Sequence, residues 1–209
     1  MIDITQLVGI HVRNSHYVRQ LVIAFLRHFT FVDNDCIVQV TAFYQSGREK
    51  RLYFANKDEL FCEVVRPVLY ALEAMLQEHH GIRGEDVMMM RSEKYLKSCI
   101  DEYVSLMEKH RPLMEILLFR AQGSSLEHFR ENYTDRSTEL VKAWFTSMQR
   151  KHPEINTDVS DFIIHLHTVW MFTLFEELLM HSVPRPEMEA ILHDYILFEI
   201  QGWRAIIRI

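Results

Sequence analysis

Glycine and proline are scarce in this chain, 6 and 5 among 209 residues. That is too few for the many tight turns of a sandwich or barrel, so long helices with short connections are expected. Cysteine is scarcer still. Cys36, Cys62 and Cys99 are odd in number and have no CxxC spacing, which argues against a disulfide framework or a zinc site and leaves buried free thiols as the expectation. The chain has no GxSxG, HExxH or Walker loop and no paired Glu-x-x-His of the helical di-iron type, and its 12 histidines are scattered. Neither enzyme activity nor a metal or cofactor is therefore expected. No apolar run reaches the ~18 residues of a membrane span, and the first residues lack a charged, then apolar, then small-residue signal pattern. The expectation is a cytoplasmic chain with no membrane partner.

What is present is an ordinary globular composition, 48% apolar and 25% charged, with a net charge of −6. The sign is uneven. Residues 1 to 57 hold seven basic residues against four acidic ones, a surplus of +3, which leaves −9 for the remainder. A basic head on an acidic body points to a polyanion partner at the head.

The best-defined local signal is Tyr53-Phe54-Ala55-Asn56-Lys57-Asp58-Glu59-Leu60-Phe61. Asn56 is a strong helix cap, Glu59 stands three residues later where it can return the hydrogen bond, and an apolar period follows. A long helix is expected from Lys57 to about Glu78, with Pro67 bending it and His79-His80-Gly81 closing it. Before it, helical periods over residues 15–31, from Asp35, and from Ser46 to Tyr53 outline a helix-turn-helix unit. After Gly84 everything reads as helix. A short piece is expected near Met88, then segments 92–110, 112–123, 125–151 capped by Ser125, 158–181 opened by Asp158 and Asp161, and 187–206. The chain is thus read as all-α, with a head over residues 1–56 and a body over 57–209, about nine helices in all.

The last two helices are apolar nearly all round, so they need cover from two sides. A second copy of the chain is the expected cover, giving a homodimer through Phe162, Leu166, Phe172, Phe175, Leu179, Leu192, Tyr195 and Phe198. The alternative is a central helix pair buried inside a monomer. His165 and His167 are two apart on one helix and point different ways, so each is expected to be a hydrogen-bonded core or interface histidine.

The Tyr53 to Phe61 stretch, the helix-turn-helix outline before it and the Gly202-Trp203 segment near the end together resemble the TetR/AcrR family of bacterial transcriptional regulators. Where that family has an Ile-Ala pair and an Ala-Gly-Val turn, this chain has Gln39-Val40 and Phe43-Tyr44-Gln45. The resemblance implies binding of double-stranded DNA through Ser46, Arg48, Lys50, Arg51, Tyr53 and Lys57. In it Arg48 faces a base edge and Lys57 a phosphate. It also implies a small-molecule effector enclosed by the body, with Met89, Tyr103, Met107, Met114, Trp144, Phe145, His165 and Trp170 as lining candidates. The implied function is a repressor released by an apolar or amphipathic ligand. The rival expectation is a ligand-binding or protein-interaction dimer of the same shape that does not read DNA.

Overall fold

The cap at Asn56 forms as its residue types dictate: the Glu59 backbone N–H donates to Asn56 Oδ1 at 2.8 Å and opens helix α1, Lys57–His80. The computed structural model describes residues 41–42, 51–52, 56–81 and 84–209. Pro67 lies inside α1, and the apolar period continues in step across it, from Phe61, Val64 and Val65 to Val68, Leu72 and Met75, all buried. One missing backbone hydrogen bond is outweighed by two turns of burial on each side.

Most of the expected head lies outside the described residues. Besides Asn56, the described residues of the head form two short strands, β1 Thr41–Ala42 and β2 Arg51–Leu52, paired antiparallel with Thr41 opposite Leu52. Helices were expected at both places. Thr41 is β-branched and suits extended backbone.

The body contains five α-helices among the described residues: α1, α2 Glu93–Phe119, α3 Phe129–Lys151, α4 Asp161–Met180 and α5 Arg185–Ile207, with a 3₁₀ turn at Val87–Arg91. The expected count of about nine covered the whole chain; for the body seven helical pieces were expected, against these five and the 3₁₀ turn among the described residues. One reason is Pro112, which was expected to start a new helix but sits inside α2. Val104 and Met107 before it and Met114 and Leu117 after it share one buried stripe, so the helix continues through the lost bond. Ser125 does not cap α3. Its N–H donates instead to Asp58 Oδ1 at 2.7 Å, tying the loop to the first turn of α1. The cap of α4 is Ser160, whose hydroxyl accepts from the Phe162 N–H, rather than Asp158. Gly123, in the loop before α3, has φ +78°, a conformation that side chains rarely adopt.

Helix α2 is the central element, packing against α1, α4 and α5, while α3 covers α4 and part of α1. The main core joins Phe61, Leu72, Met107, Phe172, Phe175 and Leu192. A second cluster holds Val87, Trp144, Phe145, Met148, Ile164 and Ile207. Polar ties fix the helices to one another. Tyr133 donates its hydroxyl to the Leu72 carbonyl at 2.9 Å, and Arg130 Nη1 reaches both oxygens of Glu176 at 2.9 Å. Arg111 Nη2 donates to the carbonyls of Leu178 and Val183 at 2.9 and 3.3 Å, holding α2 to the turn between α4 and α5. Cys62 is half-buried and Cys99 buried, and both are free thiols.

Helix α4 is long and apolar enough, by length and composition, to cross a membrane, although no uninterrupted apolar run of that length stands in the sequence; 39% of its most apolar window is buried inside the body. Its partition is one-sided. Phe172 and Phe175 are fully buried, whereas Phe162 is 68% and Trp170 45% exposed.

Of the residues expected at a dimer interface, Phe172, Phe175, Leu179 and Leu192 are buried in this chain's own core and offer nothing to a partner. Helices apolar all round divide their faces, and the inner half is consumed by α2 and α3. Leu166 and Tyr195 are half-buried, and Phe162 and Phe198 remain outside. Phe172→Ala should accordingly cost about 3–5 kcal/mol, while Phe198→Ala should cost the monomer about 0.5 kcal/mol or less. Urea unfolding of the two variants at low protein concentration measures both.

Candidate ligand site in the helical body

The eight residues expected to line one pocket do not converge. Tyr103, Met107 and Met114 belong to the main core, and Trp144 and Phe145 to the second cluster. Met89 and Trp170 are exposed, and His165 stands 3.7 Å from Asp135 near the surface. Methionine and aromatic stripes at helical spacing have here been used for helix packing. A shallow open pocket of about 270 Å³ lies instead between the C-terminal ends of α2 and α4, lined by Glu115, Ile116, Phe119, Arg120, Leu179 and Met180. None of the eight touches it. Of the expected DNA-contacting residues, Ser46, Arg48, Lys50 and Tyr53 lie outside the described residues, Arg51 is in β2, and Lys57 is the first residue of α1.

What the body does bring together is a set of part-buried histidines and carboxylates at the edge of its apolar core. His79 ends α1, and the chain turns back at Gly84, where an added Cβ would come within 2.7 Å of the His79 carbonyl oxygen. That turn places Glu85 beside His79. His79 Nδ1 is 2.8 Å from Glu85 Oε2 and Nε2 is 2.6 Å from Glu102 Oε2, the latter on α2. A ring nitrogen facing a carboxylate must donate, so both nitrogens carry hydrogen and His79 is an imidazolium. Burial opposes that charge, but the hydrogen bonds and charges of Glu102 and Glu85 outweigh it and raise its pKa above the ordinary value.

Neighbouring groups extend the polar interior. Trp144 Nε1–H donates to the Glu85 carbonyl at 2.9 Å, and His80 stands edge-on to the Trp144 ring at 5.2 Å. Burial, with the nearby His79 and His167, pushes the His80 pKa down to about 3, so it stays neutral. Burial also pushes the Cys99 thiol, beside Tyr95, up to about 12, which makes it a poor nucleophile. On the loop, Asp86 accepts from His152 Nε2 at 2.8 Å and from the Met88 N–H at 3.0 Å, fixing the start of the 3₁₀ turn.

Across the body, His167 of α4 meets α5. His167 Nδ1 is 2.6 Å from Glu199 Oε2 and 3.3 Å from Trp203 Nε1. One nitrogen cannot serve both: donating to the nearer carboxylate, it leaves the indole N–H facing another donor. The second oxygen of Glu199, only 9% exposed as a residue, and the buried hydroxyl of Tyr195 one turn before it have no other partner and interact with one another, and burial together with Glu199 raises the Tyr195 pKa; Arg204 Nε on the same helix is buried without a partner. Tyr195 packs on the small cluster of Cys99, Ile196 and Ile200, which Tyr95 also touches, so the two polar groups share a wall.

Comparison with protein-family models, curated proteins and solved structures gives no match. The chemistry of the site is therefore read from its own atoms. Among the described residues, no group of three or more His, Cys, Asp or Glu is arranged to hold a metal ion. What these groups can do is bind through hydrogen bonds and charge. Of the residues picked from the sequence, Trp144 and Tyr195 border this interior, and His167 is a hydrogen-bonded histidine where α4 meets α5. His79, His80, Glu85, Glu102, Glu199 and Trp203 were not picked. The available signal was Tyr195, Glu199 and Trp203 at four-residue steps, a polar line on an otherwise apolar helix.

Because the folded-state pKa of His79 is raised, its contribution to stability is fully present below the unfolded value near 6.5 and is lost as pH rises through the folded value. His79→Gln should destabilise the protein by about 2–4 kcal/mol at pH 6. The difference from wild type should shrink steadily toward pH 9, as thermal unfolding at matched pH values would record.

Proposed function

We propose that this chain is a TetR-type transcriptional regulator: a cytoplasmic homodimer that binds double-stranded DNA through its head and a small effector in its body. The observation that carries the reading is the junction from Tyr53 to Phe61, whose second half opens α1 on the Asn56 cap. Lys57 stands at that helix start, where a basic side chain and the positive end of the helix dipole suit a phosphate. Support for the dimer comes from the outer faces of α4 and α5, where Phe162, Ile163, Trp170, Phe198 and Ile206 are exposed. A second copy would cover them. Between Phe198 and Ile206, one turn from each, Gly202 has open space beyond its Cβ position.

A second reading has its own observation. Arg51 sits in β2, paired with Ala42, where a DNA-reading helix was expected. That favours a dimer of the same body that senses a ligand without reading DNA.

DNA upstream of the protein's own gene separates the two. The regulator should bind it with a log–log salt slope that is steeply negative. Lys57→Ala should lower that slope by about one, and Arg48→Ala should cost about 1–3 kcal/mol and relax base preference. Neither change should alter self-association. Absent or salt-independent binding by a protein that remains dimeric selects the second reading. Trp170→Glu combined with Phe198→Glu should give a folded monomer of 25.0 kDa by light scattering; a dimer that persists removes the proposed interface.

A further inference from the structure

We infer that the strap from Gly84 to Arg91 is a pH-sensitive latch, seated on the second apolar cluster while His79 is charged and released when His79 loses its proton. The inference concerns the body alone and is independent of what the head binds.

Side chains of three helical segments hold the strap. Its adjacent carboxylates, Glu85 and Asp86, each face a histidine of a different segment: His79 at the end of α1 and His152 just after α3. Among the described residues neither carboxylate forms an ion pair with Lys or Arg. Beside these anchors, the Trp144 indole donates to the Glu85 carbonyl, and Val87, 1% exposed, packs with Trp144, Phe145 and Met148. Unseating Glu85 therefore loosens the cover of that cluster.

Counting donors shows why the seat needs the charge. Charged His79 has two N–H groups for two carboxylates, and the neutral ring has one. That one goes to Glu102, whose oxygen at 2.6 Å is the nearer and which belongs to the long helix α2. Nδ1 then turns a lone pair toward Glu85 Oε2 at 2.8 Å, and the two carboxylates lose the cation between them. The other groups facing His79 cannot replace the proton. Tyr95 of α2, 3.4 Å from Nδ1, has a single hydrogen to share among Nδ1, Glu85 and Cys99. The buried Cys99 thiol keeps its proton, and His80, next on α1, stays neutral and has no charge to lend. The second anchor behaves differently. A neutral His152 still donates its Nε2–H to Asp86 and loses only its charge, with Lys151 near Asp86 and Glu154 Oε1 3.9 Å from Nδ1. The strap thus opens from its Glu85 end.

The direction follows from the same contacts. Burial lowers the His79 pKa, but Glu102 and Glu85 together raise it, and an open strap removes the share of Glu85. The latch is therefore shut at pH 6 and loosens as pH rises through the seated value.

Hydrogen exchange on the full chain at pH 6 and pH 9, expressed as protection factors so that the intrinsic pH dependence cancels, tests this. The amides of Glu85, Met88 and Met89 report the strap, since they donate to the Glu78 carbonyl, the Asp86 carboxylate and the Asp86 carbonyl. Those of His181 and Val183, in the turn between α4 and α5, are the reference. Strap protection should fall about tenfold or more at pH 9, the size of one lost charged hydrogen bond, while the reference holds. Glu102→Gln reverses the donor count. Its amide can donate to Nε2, so a neutral His79 keeps Nδ1–H for Glu85 and strap protection at pH 9 should stay near its pH 6 value. His79→Gln removes the titrating group, so the strap should be poorly protected at both pH values. Thermal unfolding checks that each variant folds, and Glu102→Gln keeps the test open if His79→Gln does not. Unchanged strap protection in the wild type, an equal fall at the reference amides, or a folded Glu102→Gln that follows the wild-type fall overturns the inference.

Discussion

The two N–H groups of one charged histidine, His79, each donated to a carboxylate, hold three segments in place. Glu85 belongs to the turn after α1 and Glu102 to α2, so the charge on His79 fixes the end of one helix against the flank of another. The rest of the loop is then determined. With Glu85 held, its carbonyl receives the Trp144 indole, Asp86 caps the 3₁₀ turn, and Val87 drops into the second apolar cluster. A loop with no long apolar run of its own is thereby seated by side-chain chemistry. Gly84 is required for the same reason, since any side chain there would collide with the backbone carrying His79.

The apolar body supplies the setting in which that chemistry is strong. Helix α2 touches α1, α4 and α5, so the main core is built around it, and Arg111 extends its hold to the turn between α4 and α5. Charged hydrogen bonds inside such a core gain from the low dielectric, but every unpaired polar atom there costs more as well. His79 and Arg204 show the two sides of that rule. The first satisfies both nitrogens; the second leaves its buried Nε without a partner.

Much of the helical frame was legible in the sequence, because caps and apolar periods are local. Asn56 with Glu59, and the buried stripe through Pro67, appear as the residues dictate. Where the reading failed, the deciding interaction was distant in sequence. Ser125 looks like a cap, yet its amide is taken by Asp58, 67 residues away. Pro112 looks like a helix start, yet burial on both sides carries α2 through it. That the eight expected lining residues do not come together has a related reason: methionines and aromatics announce burial, and burial is shared between cores and cavities. The polar interior joins residues from 79 to 203 whose only common sign is polarity at the ends or inner faces of apolar helices. Periodicity within one helix cannot show that His167 will meet Glu199.

The placement of Glu199 also decides how a body ligand could reach the outer surface. His167 lies on α4 and Glu199 on α5, and these are the helices whose outer faces carry the exposed Phe162, Trp170 and Phe198. A ligand shifts an equilibrium only by its difference in affinity for two arrangements. A ligand that displaced His167 from the Glu199 carboxylate would favour any arrangement in which α4 and α5 are less tightly joined at that point. If a second copy covers the outer faces, its affinity and the ligand's are linked through one hydrogen bond of 2.6 Å, and each must change the other by the same factor.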